Sequence, residues 1–148
     1  MERTFIMVKP DGVMEGRVGE VIKRFEKAGF RLKAIKVMTA DQELLRKHYS
    51  EHVSKPFYKG LEKFIMEGPV VPMVLEREDA VRKAREICGA TDPSKAEAGT
   101  IRGDLGNDSV EKADAEDRAI RNIIHASGTV EEAKKEIGLW FSEGEIDG

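Results

Sequence analysis

Cysteine and long apolar runs are scarce in this chain. The one cysteine, Cys88, cannot form an internal disulfide, and its place beside Ile87 on an apolar helical stripe predicts a buried residue in a reducing compartment. No stretch approaches the roughly 18 apolar residues that a membrane span needs, and Met1-Glu2-Arg3 does not open a signal peptide. We therefore expect a cytoplasmic protein without a membrane segment.

A basic excess is also absent. The 148 residues include 25 lysines and arginines against 28 aspartates and glutamates, a formal net charge of −3. Because general nucleic-acid binding normally needs a basic excess, no nucleic-acid partner is predicted, although a local basic pocket for one nucleotide is not excluded. With 40% hydrophobic and 36% charged residues, the composition is typical of one globular domain over residues 1–148.

The common phosphate-binding loops are a third absence. The chain contains neither G-x-x-x-x-G-K-S/T nor G-x-G-x-x-G, so any phosphate recognition must come from side chains. Arginine offers a planar fork that suits phosphate oxygens, and threonine adds a neutral donor. The candidates in or beside the predicted loops are Lys9, Arg85, Thr91 and Arg102.

Apolar periodicity predicts a few strands separated by helices. Residues 4–8 are a continuous apolar run typical of a central strand, and the stripe that begins at Val18 has helical spacing. A slip in alternation within residues 30–38 predicts a β-bulge or a change of burial. Pro72, inside a third strand, predicts an edge position or a bulge, because proline donates no hydrogen bond. The other predicted elements are a helix over 42–48 capped by Asp41, helices around Leu61–Ile65 and Val81–Cys88, a loop over 89–108, a helix over 110–119, a strand over 121–125 and a helix over 130–137.

A histidine follows a short apolar run in the segment Arg121-Asn122-Ile123-Ile124-His125-Ala126-Ser127. A buried strand that ends there would hold the imidazole rigidly, and the next turn would bring it to the surface. A nucleophilic histidine needs this combination, because its ring must be both fixed and reachable. An isolated histidine more often merely ends a strand, so the interpretation depends on the neighbouring motifs.

This segment resembles the active-site signature N-x-x-H-G/A-S of nucleoside diphosphate kinases. Three further stretches resemble the same family in the same order, and the resemblance runs from residue 2 to about residue 141. It implies an α+β fold, a ferredoxin-like βαββαβ sandwich in which a four-stranded antiparallel sheet carries helices on one face. The three stretches are Glu2-Arg3-Thr4-Phe5-Ile6-Met7-Val8-Lys9-Pro10-Asp11-Gly12, Gly68-Pro69-Val70-Val71, and Gly89-Ala90-Thr91-Asp92-Pro93 leading into Gly99-Thr100-Ile101-Arg102-Gly103-Asp104.

The resemblance implies transfer of the γ-phosphate of a nucleoside triphosphate, typically ATP, to a nucleoside diphosphate. The route would be ping-pong, through a phosphohistidine at His125. Mg²⁺ would be bound through the nucleotide phosphates, with no protein ligand to the metal, and the protein would form hexamers or tetramers. Since a neutral imidazole is required, activity should fall as the pH drops below the pKa of His125, in the range near about 6.

The resemblance also assigns individual roles. Glu136 matches the carboxylate that orients the imidazole, and Phe57 matches the ring on which the base stacks, which predicts broad base tolerance. Lys9 and Asn122 match contacts to the sugar. The implied catalytic residues are His125, Glu136, Lys9 and Tyr49; the implied substrate-binding residues are Lys9, Phe57, Arg85, Thr91, Arg102 and Asn122; Ser127 is a supporting polar group.

Two other functions on the same fold stay open. A non-catalytic nucleotide-binding protein would be favoured by loss of His125, Lys9 or Arg102, all of which are present. A histidine-phosphotransfer protein predicts a histidine on an exposed helix. The H-x-x-E-H pattern at His48-Tyr49-Ser50-Glu51-His52 resembles a zinc motif, but it lacks an evident downstream acidic ligand, so no metal site is predicted there.

The chain departs from the family at about residues 107–119. An extra stretch, acidic and expected to be exposed, separates Gly103-Asp104-Leu105 from Arg121. It lies between Arg102 and His125, in a region that contacts neighbouring subunits in the family.

Overall fold

Four antiparallel strands form the centre of the computed structural model, which describes residues 1–148. The strands are β1 (Glu2–Val8), β2 (Arg31–Ile35), β3 (Val71–Arg77) and β4 (Ile124–Ala126), in the spatial order β2-β3-β1-β4. The helices are α1 (Pro10–Met14), α2 (Val18–Lys27), α3 (Gln42–His48), α4 (Tyr58–Met66), α5 (Ala80–Cys88), α6 (Ile101–Leu105), α7 (Val110–Ala115) and α8 (Val130–Trp140). Because α2 joins β1 to β2 and α5 joins β3 to β4, the predicted βαββαβ fold is confirmed.

Helices cover both faces of the sheet, so the prediction of helices on one face was wrong. In β1, Ile6 and Val8 belong to a buried cluster with residues of α2 and α5. Phe5 and Met7 belong to a second cluster, with residues of α3, α4 and α8. A strand that is apolar on both sides needs a cover on each side, and the continuous apolar run at residues 4–8 is the sequence sign of that requirement.

Two local predictions on the strands have different outcomes. The pairing of β2 with β3 shifts register between Leu32 and Ala34, so the predicted bulge is confirmed. Pro72 lies in β3, a central strand, and the predicted edge position was wrong. Its carbonyl accepts a hydrogen bond from the backbone N–H of Lys36, just beyond the last residue of β2. The N–H and C=O of a strand residue point to the same neighbouring strand. The N–H that Pro72 lacks would therefore face β2, at a point beyond the last residue of that strand.

The segment after α5 is more structured than predicted. The expected loop over 89–108 contains a 3-10 turn at Pro93–Lys95 and the short helix α6, whose N-cap Thr100 accepts from the backbone of Gly103. The helix expected over 110–119 ends at Ala115. Arg118 then turns back and donates two hydrogen bonds to the buried carboxylate of Asp108, at 2.7 and 2.9 Å. This bidentate pair ties the two ends of α7 together.

None of the helices is both long enough and apolar enough to cross a lipid bilayer.

Candidate active site

The edge strand β4 carries His125 at its centre, opposite Met7 of β1. Directly opposed residues of an antiparallel pair share a face, so the imidazole lies on the side of the sheet that α3 and α8 cover. The side chain of His125 is 17% exposed. It borders a cavity of about 130 Å³ that residues of α8 and of the end of α3 line. The ring is therefore held by the sheet and still reachable.

Glu136 of α8 holds one nitrogen of this ring. Its Oε1 lies 2.8 Å from Nε2 of His125 and also accepts a hydrogen bond from Oγ of Ser127 at 2.7 Å. Ser127 is fixed in turn, because its backbone N–H donates to the carbonyl of Phe5 at 3.1 Å. A carboxylate acceptor favours the tautomer that has its proton on Nε2. In that tautomer the lone pair of His125 is on Nδ1.

A γ-turn precedes the histidine. The backbone N–H of Ile124 donates to the carbonyl of Asn122 at 2.8 Å, and Ile123 between them has a φ of 73°. This conformation costs a β-branched residue on the order of 1–3 kcal/mol, so neighbouring groups must hold it in place. The backbone N–H of Lys9 donates to the carbonyl of Ile123 at 2.7 Å, and a carboxylate oxygen of Asp11 accepts from the Ile123 N–H at 2.9 Å.

A chain of hydrogen bonds joins the end of β1 to the 89–108 segment. Lys9 donates from Nζ to Oδ1 of Asn122 at 2.7 Å, and Nδ2 of Asn122 donates to the carbonyl of Thr91 at 3.0 Å. Lys9 is buried. Burial, followed by the positive charge of Arg102, lowers the pKa of Lys9 to about 8. The ammonium is thus fixed in position and mostly charged at neutral pH.

Two arginines contact the backbone on either side of the histidine. Arg85 donates to the carbonyl of Ala126 at 3.5 Å, a long contact. Arg102 is held more firmly, and burial lowers its pKa. Its three contacts are Nε to the carbonyl of Asn122 at 3.2 Å, Nη1 to the carbonyl of Gly89 at 2.9 Å and Nη2 to the carbonyl of Ile124 at 2.6 Å.

These surroundings keep the imidazole neutral. Burial lowers the pKa of His125 to about 3, and the positive charges of Lys9, Arg102 and Arg85 act in the same direction. The pH range near about 6 that was predicted for the loss of activity is therefore too high, because His125 itself is protonated only at lower pH. A neutral ring beside several cations combines a free nucleophile with groups that attract an anion.

A cleft of about 600 Å³ lies beside this group, a size typical of a small-molecule site. Phe57, which is 55% exposed, lines it together with the first turn of α4 and with Lys9. The opposite wall comes from α7 and the residues that follow, including Arg118. Lys9 therefore connects the cleft to the hydrogen-bonded chain through Asn122, and Phe57 borders the same space.

Tyr49 lies on the other side of the histidine. Its ring centroid is 6.3 Å from that of His125, and burial raises the pKa of its hydroxyl, so the phenol stays protonated. The structure thus brings most of the sequence-predicted residues to one region: Phe57 borders the cleft, Thr91 joins only through its backbone carbonyl, and the side chains linked to the segment of His125 are those of Lys9, Tyr49, Arg85, Arg102, Asn122, Ser127 and Glu136.

Sequence reasoning missed two neighbours of the imidazole. The buried ring of His48 lies 4.7 Å from that of His125, and Trp140 donates from Nε1 to Nδ1 of His48 at 2.9 Å. His48 had been considered only as part of the rejected zinc pattern, and Trp140 lay beyond the predicted helix end. One usable signal existed, because Trp140 follows Glu136 by one helical turn and therefore shares its face.

His48, His125 and Glu136 are close enough to suggest a metal site, since their ligand atoms all lie within 4.8 Å of one another. The hydrogen bonding argues against this. An indole N–H can only donate, so Nδ1 of His48 must accept from Trp140 and the proton of His48 must sit on Nε2. The nitrogen that faces the cluster has no lone pair to offer a cation.

Comparisons with known proteins agree with this geometry. The sequence model described as nucleoside diphosphate kinase matches residues 2–146. A nucleoside diphosphate kinase of Helianthus annuus is 53% identical over 144 residues, which are 97% of this chain and 90% of that protein. One from Carboxydothermus hydrogenoformans is 52% identical over 146 residues, 99% of this chain and 91% of that protein. The chain belongs to the nucleoside diphosphate kinase family.

Solved structures show the same similarity. A nucleoside diphosphate kinase of Borrelia burgdorferi, a transition-state mimic with bound vanadate and ADP, superposes with a TM-score of 0.95 at 38% identity and covers 99% of this chain and 90% of its own. A halophilic enzyme of Halobacterium salinarum in complex with CDP gives a TM-score of 0.88 at 44% identity, with 99% and 91% coverage.

Proposed function

We propose that this nucleoside diphosphate kinase moves the γ-phosphate of a nucleoside triphosphate, typically ATP, onto a nucleoside diphosphate through a phosphohistidine at His125. One observation carries the proposal: Nε2 of His125 lies 2.8 Å from Oε1 of Glu136, in a ring that borders a cavity, and a carboxylate partner at Nε2 favours a lone pair on Nδ1. Splitting the reaction into two halves avoids pressing two polyanionic nucleotides together.

In the first half-reaction, Nδ1 of His125 attacks the γ-phosphorus and forms a P–N bond. The bond from phosphorus to the bridging oxygen breaks, and the nucleoside diphosphate leaves. In the second half-reaction, a terminal phosphate oxygen of another nucleoside diphosphate attacks the same phosphorus, and the P–N electron pair returns to the ring. Glu136 stabilises the positive charge that the ring gains while it is phosphorylated, because its carboxylate accepts from Nε2–H.

The other site residues would bind the two substrates. The cations would attract the phosphate oxygens, and the exposed ring of Phe57 would stack on any base, because every base has an apolar face. Tyr49 and Ser127 would support the phosphates and Glu136. The proposed phosphate contacts are Lys9, Arg85, Thr91 and Arg102, and the proposed sugar contacts are Lys9 and Asn122.

Mg²⁺ would enter with the nucleotide. The positive charges of Lys9, Arg102 and Arg85 act on His125, and Glu136, the carboxylate in hydrogen-bond contact with the ring, is already used by His125 and Ser127. The protein therefore fits a metal only through the substrate's phosphates, where Mg²⁺ would neutralise charge on the transferring group.

The test is a chase experiment. Protein incubated with γ-labelled ATP and Mg²⁺ should yield an acid-labile, base-stable phosphoenzyme, and excess diphosphates of different bases should take up the label as triphosphates. His125→Ala should lack the phosphoenzyme while its thermal unfolding shows a folded protein. A folded His125→Ala that still transfers phosphate contradicts the proposal. Nucleotide binding without phosphate transfer would favour a non-catalytic nucleotide-binding protein. Transfer of phosphate to a protein alone would favour a histidine-phosphotransfer protein.

A homo-oligomer, hexameric or tetrameric, also belongs to this proposal. The outer strand β2 ends at Ile35, which is 42% exposed, and Val37 beyond it is 70% exposed, so this sheet edge offers apolar surface to another copy. Light scattering on the purified chain measures the subunit number directly, and a monomer at working concentration would contradict it.

A cytoplasmic location stays a prediction from the sequence.

A further inference from the structure

A buried hydrogen bond outside the proposed substrate site sets the protonation of His48. Trp140 at the end of α8 donates from Nε1 to Nδ1 of His48 at 2.9 Å, and both residues are buried. Since the indole nitrogen is a donor only, Nδ1 of His48 acts as the acceptor, and the neutral ring carries its hydrogen on Nε2. Trp140 therefore selects one of the two tautomers of His48.

The hydrogen on His48 faces the carboxylate that holds the nucleophile. Nε2 of His48 lies 3.9 Å from Oε2 of Glu136 and has no hydrogen-bond partner, although its side chain is only 1% exposed. The other oxygen of Glu136, Oε1, already accepts from His125 and Ser127. At this distance the contact between His48 and Glu136 is one of charge and dipole rather than a hydrogen bond.

We propose that Trp140 and His48 are positioning residues for phosphoryl transfer, an inference that rests on the proposed function. Trp140 fixes the tautomer of His48, and His48 then presents the positive end of its N–H dipole to the free oxygen of Glu136. This contact keeps the carboxylate oriented toward Nε2 of His125. The opposite tautomer would present a lone pair to Glu136 and a second hydrogen to the indole, and both contacts would be repulsive.

The neutrality of His48 matters as much as its tautomer. The ring of His125 gains positive charge on phosphorylation, and a cationic His48 with its ring centroid 4.7 Å away would oppose that gain. The bond from Trp140 occupies the nitrogen that would accept the additional proton, and burial lowers the pKa of His48 to about 3. The titratable and charged groups that face His48 are His125 on β4, Glu136 and Lys135 on α8, Lys9 after β1, and Tyr49 at the end of α3.

Trp140→Phe tests the proposal, because it removes the indole donor and keeps an aromatic ring. We expect kcat and the rate of phosphoenzyme formation to fall about fivefold with unchanged KM, a modest effect because the contact with Glu136 is longer than a hydrogen bond. The acid limb of the pH–rate profile should move to higher pH, since Nδ1 of His48 becomes free to bind a proton. The matched control is Phe141→Leu, a change in a buried neighbour whose ring packs under Nζ of Lys36; it should lower stability without changing kcat.

Substitutions of His48 separate hydrogen bonding from packing. His48→Gln keeps both an acceptor and an N–H donor and should retain activity within about twofold, whereas His48→Leu should lose at least as much as Trp140→Phe. A Gln variant as impaired as the Leu variant, both being folded, would overturn the role of the N–H.

A spectroscopic readout does not depend on turnover. Histidine-selective ¹⁵N spectra of the full chain should show His48 with its hydrogen on Nε2, and Trp140→Phe should shift the ring toward a mixture of forms. A wild-type His48 with its hydrogen on Nδ1, or a folded Trp140→Phe with wild-type kcat, overturns the inference. Either result can occur while His125→Ala is inactive, so it would leave the proposed function in place. An active His125→Ala would instead contradict the function itself.

Discussion

Two buried neutral histidines should make this fold sensitive to acid. Burial is the main cause that lowers the pKa of both His48 and His125 to about 3, whereas histidines of an unfolded chain titrate at about 6.5. Below that pH the unfolded chain binds two protons that the folded chain does not. The stability due to these neutral rings is therefore complete above about pH 6.5 and is lost as the pH falls toward about 3.

The size of the loss follows from proton linkage. Each histidine that is protonated only in the unfolded chain changes the free energy of unfolding by about 1.4 kcal/mol per pH unit, so lowering the pH from about 7 to about 5 costs about 2 kcal/mol per histidine and about 4 kcal/mol for both. The side chain of His48 is 1% exposed and should approach the full value. That of His125 is 17% exposed, so solvent should reduce its share.

Urea unfolding at a series of pH values measures this effect. Protein concentration must be held constant, because subunit association also stabilises the folded chain. Carboxyl groups with a lowered pKa in the folded chain also make the free energy of unfolding depend on pH. The informative quantity is therefore the difference between wild type and each of the variants His48→Gln and His125→Gln. We expect each variant to lose about 2 kcal/mol less than wild type between about pH 7 and about pH 5. Parallel curves for all three proteins would refute the argument.

Three further substitutions test the framework of the site. Gly12→Ala should lower the free energy of unfolding by about 1–3 kcal/mol and reduce kcat, because a Cβ there would meet a methyl carbon of Ile123 at 2.9 Å; equal thermal stability would contradict this. Arg102→Lys should cost about 2–3 kcal/mol, since one ammonium cannot replace the three carbonyl contacts, and urea titration measures it. Asp108→Ala should cost about 3 kcal/mol and raise KM more than it lowers kcat, because it releases Arg118 at the wall of the cleft; an unchanged KM in steady-state assays would argue against that.

The parts of the site that lie close together in sequence were predictable. His125 and the apolar run before it are contiguous, and Lys9 follows the first strand directly, so strand pattern and chemistry could be read from the same residues. His48 and Trp140 lie 92 positions apart and meet only because α3 and α8 pack on the same face of the sheet. No local pattern specifies such a contact, and it had to come from the structure.

Helix and strand ends show the same limit. The helix predicted over 110–119 stops at Ala115, and Asp117 then takes a φ of 50° as the chain turns. The cause lies just outside the helix, because Arg118 turns back to form its bidentate pair with Asp108, a contact that overrides local helix propensity. The γ-turn at Ile123 is similar, since a β-branched residue with positive φ would not be predicted from sequence.

Strand β1 fixes the positions of two groups of the candidate site relative to each other. It pairs with the strand that holds the imidazole of His125, and it is followed directly by Lys9, which supplies the buried ammonium. A single rigid ladder therefore sets how far apart these two groups stand, and neither can drift without breaking the middle of the sheet. The wall of the cleft beside Phe57 depends instead on Arg118, which its ion pair with the buried Asp108 holds in place. Loss of that pair should therefore loosen the cleft and leave the separation between the imidazole of His125 and the ammonium of Lys9 unchanged.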